Sequence, residues 1–101
     1  MRLSDQSIRG RTVVGADGQV IGEMDALFLD SEAWRVESLQ IKLRKDVADQ
    51  LGAPRSVFRA GALEIPVHMV QSVGDTIVLV VPVDGLRKVL PSETEQVSAH
   101  S

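Results

Sequence analysis

The stretch that decides the fold is Gly10-Arg11-Thr12-Val13-Val14-Gly15-Ala16-Asp17-Gly18-Gln19-Val20-Ile21-Gly22-Glu23-Met24-Asp25-Ala26-Leu27-Phe28-Leu29-Asp30. Asp17-Gly18 sits between two apolar runs, and this dipeptide suits the two positive-φ positions of a type I′ hairpin turn. Thr12 to Val14 is the outgoing strand, and Val20 to Asp30 the return. The return strand does not alternate cleanly. Val20, Met24 and Phe28 fall on one face, whereas Ile21, Leu27 and Leu29 fall on the other together with Glu23 and Asp25. A phase shift near Gly22 or Ala26 reconciles the two sets, since glycine in a strand often marks a bulge or bend. Long strands that bend in this way belong to small barrels more than to flat sheets.

Working outward, Asp30 to Ala33 reads as a turn in which the Asp30 carboxylate bonds backbone N–H groups ahead of it. Trp34 to Leu43 is a third strand, with Leu39, Ile41 and Leu43 alternating against Ser38, Gln40 and Lys42 and with Val36 out of phase. Residues 44–61 are irregular. Asp46 is a candidate cap for a short helix that carries Val47 and Leu51 and ends at Gly52, and Pro54 forbids its continuation. Ala62 to Ile65 is a fourth strand, ended at an edge or bend by Pro66. Met69 to Val73 is a fifth, followed by Gly74-Asp75 as a type II′ turn with glycine first. Thr76 to Val81 is a sixth, apolar at nearly every position, which implies cover on both faces. Asp84 is a candidate N-cap for a short helix carrying Leu86 and stopping before Pro91. These segments define a lead-in over residues 1–9, a domain over 10–90 and a polar tail over 91–101 expected to be disordered.

Composition is consistent with one small β-rich domain. The chain has 101 residues, 44% of them hydrophobic, with Phe28, Phe58 and Trp34 as its only aromatics. Valine-rich, aromatic-poor composition favours strands. Eleven basic residues against fourteen acidic give a net charge of −3, without the basic excess of a phosphate-tracking surface. There is no cysteine, so neither a disulfide nor a thiolate metal site is available. The run from Ile77 to Val83 is too short for a bilayer, and Met1 to Asp5 is too polar for a signal peptide. The cytoplasm is the expected compartment, without membrane insertion.

Two pieces resemble the PRC-barrel family. The first is Gly18-Gln19-Val20-Ile21-Gly22-Glu23-Met24-Asp25-Ala26-Leu27-Phe28-Leu29-Asp30, similar to the family pattern of glycine, a variable residue, two aliphatics, Gly-Glu and an apolar strand closed by Asp. The second is Glu64-Ile65-Pro66-Val67 followed by Val70-Gln71-Ser72-Val73-Gly74-Asp75. The likeness runs from about Gly10 to Val83. It implies a mainly all-β, partly open, six-stranded antiparallel meander barrel with one or two short helices. It also implies a docking or adaptor module rather than a catalyst. Gly18, Gly22, Asp25, Asp30, Pro66, Gly74 and Asp75 are then residues that determine the fold.

The carboxylates Glu23, Asp25, Asp30 and Glu32 have two readings. They could hold a hard cation or perform acid–base work, or they could serve a turn and a bulge. Without a nucleophile or a closed oxygen-ligand loop beside them, the structural reading is adopted. His68 has no second ligand at metal-binding spacing, and Gly10, Gly15, Gly18 and Gly22 form no phosphate-binding fingerprint. No catalytic residue, metal or cofactor is expected. Surfaces carry the remaining signal. Trp34 with Arg35, and Phe58 between Arg55 and Arg59, either anchor a protein interface or stack on bases. Packing over a barrel end is the competing role for Trp34, and plugging the barrel mouth the one preferred for Phe58. Val78 and Val80 on the outer face of the last strand are candidates for homodimerisation. The expected function is a self-associating interaction module. The alternatives are an RNA- or ribosome-associated factor using Arg44, Lys45, Arg55 and Arg59, and a metal-dependent enzyme using Glu23, Asp25 and Asp30.

Overall fold

The computed structural model describes residues 3–52 and 62–89. In chain order these form α1 (Asp5–Ile8), β1 (Thr12–Val14), β2 (Val20–Asp30), β3 (Arg35–Leu43), α2 (Lys45–Leu51), β4 (Ala62–Pro66), a 3₁₀ turn (Val67–Met69), β5 (Val70–Val73), β6 (Thr76–Leu79) and a 3₁₀ helix (Val83–Val89). One six-stranded sheet has the order β4-β3-β2-β1-β6-β5. All neighbours are antiparallel except β1 and β6, which run parallel with Val13 beside Ile77.

This topology corrects the purely antiparallel meander. A meander would lay β5 beside β4. Instead the chain crosses from one sheet edge to the other through Val67–Met69, and the β5–β6 hairpin joins the free edge of β1. That short crossing dictates the curvature. The edges of a flat six-stranded sheet would lie about 24 Å apart at ~4.8 Å per strand spacing. A three-residue link reaches roughly 14 Å at most. The sheet therefore rolls, and because β4 and β5 do not pair it remains a partly open barrel.

The uneven phase of β2 has a structural cause. Val13 pairs with Gly22 but Val14 with Val20, leaving Ile21 as an extra residue. Met24 pairs with Ile41 but Ala26 with Gln40, leaving Asp25 extra. A third slip, between Phe28↔Ser38 and Leu29↔Val36, places Glu37 extra on β3 and accounts for the phase of Val36. Each extra residue returns the apolar side chains to the concave face and tightens the twist. Ile21, Met24, Leu39 and Ile41 thereby join Val13, Leu63, Ile65, Ile77 and Leu79 in one core.

The ends of the roll are stoppered. α1 is opened by a reciprocal cap between Ser4 and Ser7 and delivers Ile8 into the core, so the lead-in is part of the packed body. α2 buries Val47 and Leu51, each such burial stabilising by about 1.5–3 kcal/mol. Its N-cap is Arg44 rather than Asp46, which lies in the first turn 3.2 Å from the Arg44 guanidinium. Gly52 closes α2 at φ 63, and Arg87 donates to the Gln50 and Leu51 carbonyls, satisfying the helix end. Asp84 likewise sits inside its 3₁₀ helix, not at a cap.

Both short hairpins differ from the turn types expected. Gly18 is at φ 84, but Asp17 has no positive φ, and the Gly18 N–H donates to Gly15 O at 2.9 Å. The loop is thus a tight turn followed by a left-handed glycine, the usual three-residue solution, with Asp17 Oδ1 accepting from Gln19 N–H. Gly74 is not at positive φ, and Val73 pairs with Ile77, so the β5–β6 loop is one residue longer than a type II′ turn allows.

A candidate interaction surface on the β2–β3 arm

β2 has eleven residues and β1 only three. The β1 ladder ends at Glu23, with Gly10 and Arg11 bonding Met24 just beyond it. β4 reaches only Ser38 on the other side. The outer part of the hairpin, from about Phe28 through the turn to Glu37, projects as a two-stranded arm. A two-stranded ribbon has little stability by itself, so the turn is held by specific bonds. Asp30 Oδ1 accepts from Glu32 N–H at 3.0 Å and Ala33 N–H at 3.4 Å, and the Trp34 N–H donates to Asp30 O at 2.8 Å.

Trp34 adopts φ 54, the one positive φ among the described non-glycine residues. A bulky side chain is disfavoured there by roughly 1–2 kcal/mol, and it gains no burial in return, being 79% exposed. The competing role, packing over a barrel end, is therefore not what the exposed ring does here. Leu29 is 52% and Phe28 38% exposed on the same arm. Leu29 pairs across the hairpin with Val36, and Leu27 with Leu39. Leu27, Val36 and Leu39 line an apolar groove of about 220 Å³ with Leu3, Ile8, Val67 and Val70. The arm and the groove form one continuous apolar surface.

The other predicted residues lie elsewhere. Val78 of β6 is half-buried and Val80, just past its end, exposed, while Ile77 and Leu79 of β6 fill the core. Val78 stands beside Val14, and Val81 O accepts from Ala16 N–H. This is the Val20 end of β2, opposite the Trp34 end, so the two candidate patches are separate. Arg55, Phe58 and Arg59 lie outside the described residues. The carboxylates do not converge. Asp30 holds its turn, Asp25 Oδ2 accepts from Gln40 Nε2 at 2.8 Å, and among the described residues no group of three potential ligands is close enough to hold a metal. Glu23 lines a second hollow of about 410 Å³ with Thr12, Gly22, Lys42 and Arg44, where Glu23 and Lys42 are cross-strand partners of opposite charge. His68 is exposed in the crossing turn, and Pro66 ends edge strand β4. Asp75 is exposed at the β5–β6 loop.

Sequence reasoning missed Phe28 and Leu29 as surface residues. The signal was the disparity in length between the strands: an apolar Ala26-Leu27-Phe28-Leu29 run lies beyond the reach of a three-residue neighbour.

A partly open, six-stranded, mixed-orientation roll closed at its ends by short helices is a small β-barrel domain. The family model described as PRC-barrel domain matches residues 2–87, and the chain belongs to that family. PRC-barrels are a family of non-catalytic domains that mediate interactions. A search among curated proteins found no match to this chain. Among the described residues no helix is long and apolar enough to cross a membrane.

Proposed function

We propose that the protein is a non-enzymatic adaptor module that self-associates through its β2–β3 arm. The observation that carries this reading is the presence on one arm of Trp34, exposed in a costly backbone conformation, and of the exposed Leu29. Strain of this kind persists where the surroundings hold it in place and tends to accompany function. Aromatic and arginine side chains are the usual interface anchors, and Trp34-Arg35 supplies one of each at the arm's end. The occupant is a second copy of the chain, whose own arm offers the same apolar surface. Equilibrium sedimentation tests the reading: a dimer is expected at tens of micromolar, and a monomer throughout that range removes it.

A further inference from the structure

The arm exposes an edge as well as a face. Residues Ala26–Asp30 of β2 pair with β3 on one side, and no described strand lies along the other. Backbone groups along such an edge are a template for another strand. The other free edges are blunted: β4 carries Glu64 and terminates in Pro66, and β5 is only four residues long with exposed Gln71 and Ser72. The Ala26–Asp30 edge has no proline, no lysine and no charge before its final residue.

We infer that two copies of the chain join along this edge, antiparallel and centred on Phe28, so that two six-stranded sheets become one continuous sheet. The inference rests on the self-associating reading above and supplies its geometry. Its register follows from complementarity. With Phe28 opposite Phe28 of the second copy, Leu27 faces Leu29 of that copy and Ala26 faces its Asp30. Adding the observed β3 partners gives complete rows across the joined sheets. Leu39, Leu27, then Leu29 and Val36 of the second copy make an aliphatic row, repeated by symmetry. Gln40, Ala26, then Asp30 and Arg35 of the second copy make a second row, in which each Asp30 has the small Ala26 on one side and its own Arg35 on the other. The two Phe28 rings meet at the centre, flanked by the two Ser38 residues. No row sets an apolar side chain against an isolated charge, and cross-strand pairs of these kinds stabilise a sheet. The same register covers Leu29 and Phe28, and the apolar groove of each copy continues into the other. An antiparallel edge pair is self-complementary, as a two-fold dimer requires. A ladder of this length is small beside the roughly 1,200–2,000 Å² of a standard stable interface, so the dimer is a reversible one.

The chain lacks cysteine, so single thiols report the register directly. Sedimentation of the unmodified protein first establishes whether a dimer exists. Phe28→Cys then places two thiols opposite each other, with Cα atoms about 4.5–5.5 Å apart, inside the ~4.4–6.8 Å span that a disulfide bridges. Ala26→Cys is the register control, its thiols about 14 Å apart along the strands. Intermolecular disulfide forming at least ~10-fold faster for Phe28→Cys than for Ala26→Cys supports the proposal. A dimeric unmodified protein with equal rates in the two variants overturns the edge pairing while sparing self-association. A monomeric unmodified protein overturns both.

Discussion

Gly22 lies against the backbone of Lys42: a Cβ on Gly22 would sit 2.9 Å from the Lys42 carbonyl carbon and 3.1 Å from Leu43 Cα, and closer still to the Lys42 carbonyl oxygen. Gly22 has no positive φ, so what demands glycine is the approach of β3, not a bend. The Gly22→Ala variant forces two paired strands apart inside the ladder. A loss of at least ~1–3 kcal/mol is expected, the range for overpacked interiors. Because each kcal/mol moves the Tm of a domain this size by about 4–8 °C, a thermal melt reads the effect directly. A melt within 2 °C of the parent, as an approximate limit, would show that the strands can separate at little cost.

Arg11 ties together two parts of the chain that are far apart in sequence. Its Nε donates to Ser7 O at 3.0 Å, and its Nη1 donates to Gly74 O in the loop that leads into the neighbouring strand β6. The guanidinium thus joins α1 to the β5–β6 loop; the bond to Ser7 O is exposed and the one to Gly74 O part-buried, and a bond of the latter kind from a charged donor contributes about 1.5–3 kcal/mol. Arg11→Ala is expected to lower the unfolding free energy by that amount in urea. Arg11→Lys should recover less than half, because one ammonium on a flexible stem cannot span both carbonyls as the planar fork does. Full recovery by lysine would reduce the role of Arg11 to its charge.

Local features of the fold were legible because their causes are local. The broken alternation of β2 pointed to bulges at Ile21 and Asp25, next to the expected Gly22 and Ala26, because a slipped phase is written in the order of apolar residues. α2 was legible only as one option for residues 44–61, offered by Val47, Leu51 and Gly52 beside a strand or a loop. The parallel pairing of β1 with β6 was not, since Val13 and Ile77 are far apart in sequence and no local pattern records which free edge a late hairpin will join. α1 escaped notice because Ser7 fills the capping position where Glu or Gln is the usual signal. In the candidate site, Trp34 was visible as an aromatic beside an arginine. Its left-handed backbone was invisible, tryptophan being among the last residues that sterics would place there.

Trp34 should therefore separate stability from association. In the Trp34→Gly variant the left-handed conformation is no longer penalised, and because the ring is 79% exposed little burial is lost. The folded state is expected to hold its stability or gain up to ~1 kcal/mol, whereas dimerisation weakens. Denaturation in urea and sedimentation on the same sample measure the two quantities. A variant that is less stable yet equally dimeric would assign Trp34 to the fold and not to the interface.

Leu29 and Val80 are both exposed apolar residues, 52% and 48% accessible, on separate patches. Lysine at either position should leave folding stability within about 0.5 kcal/mol, as for most surface changes. Their effects on association should differ. Leu29→Lys puts an ammonium into the aliphatic row of the joined sheets, where it must be desolvated against Leu27 and Leu39 of the other copy, so the dimer dissociation constant is expected to rise at least ~10-fold, equivalent to about 1.4 kcal/mol. Val80→Lys lies at the far end of β2 and should leave that constant unchanged. The reverse pattern, with Val80→Lys dissociating the dimer and Leu29→Lys silent, would move the interface from the arm to the outer face of β6.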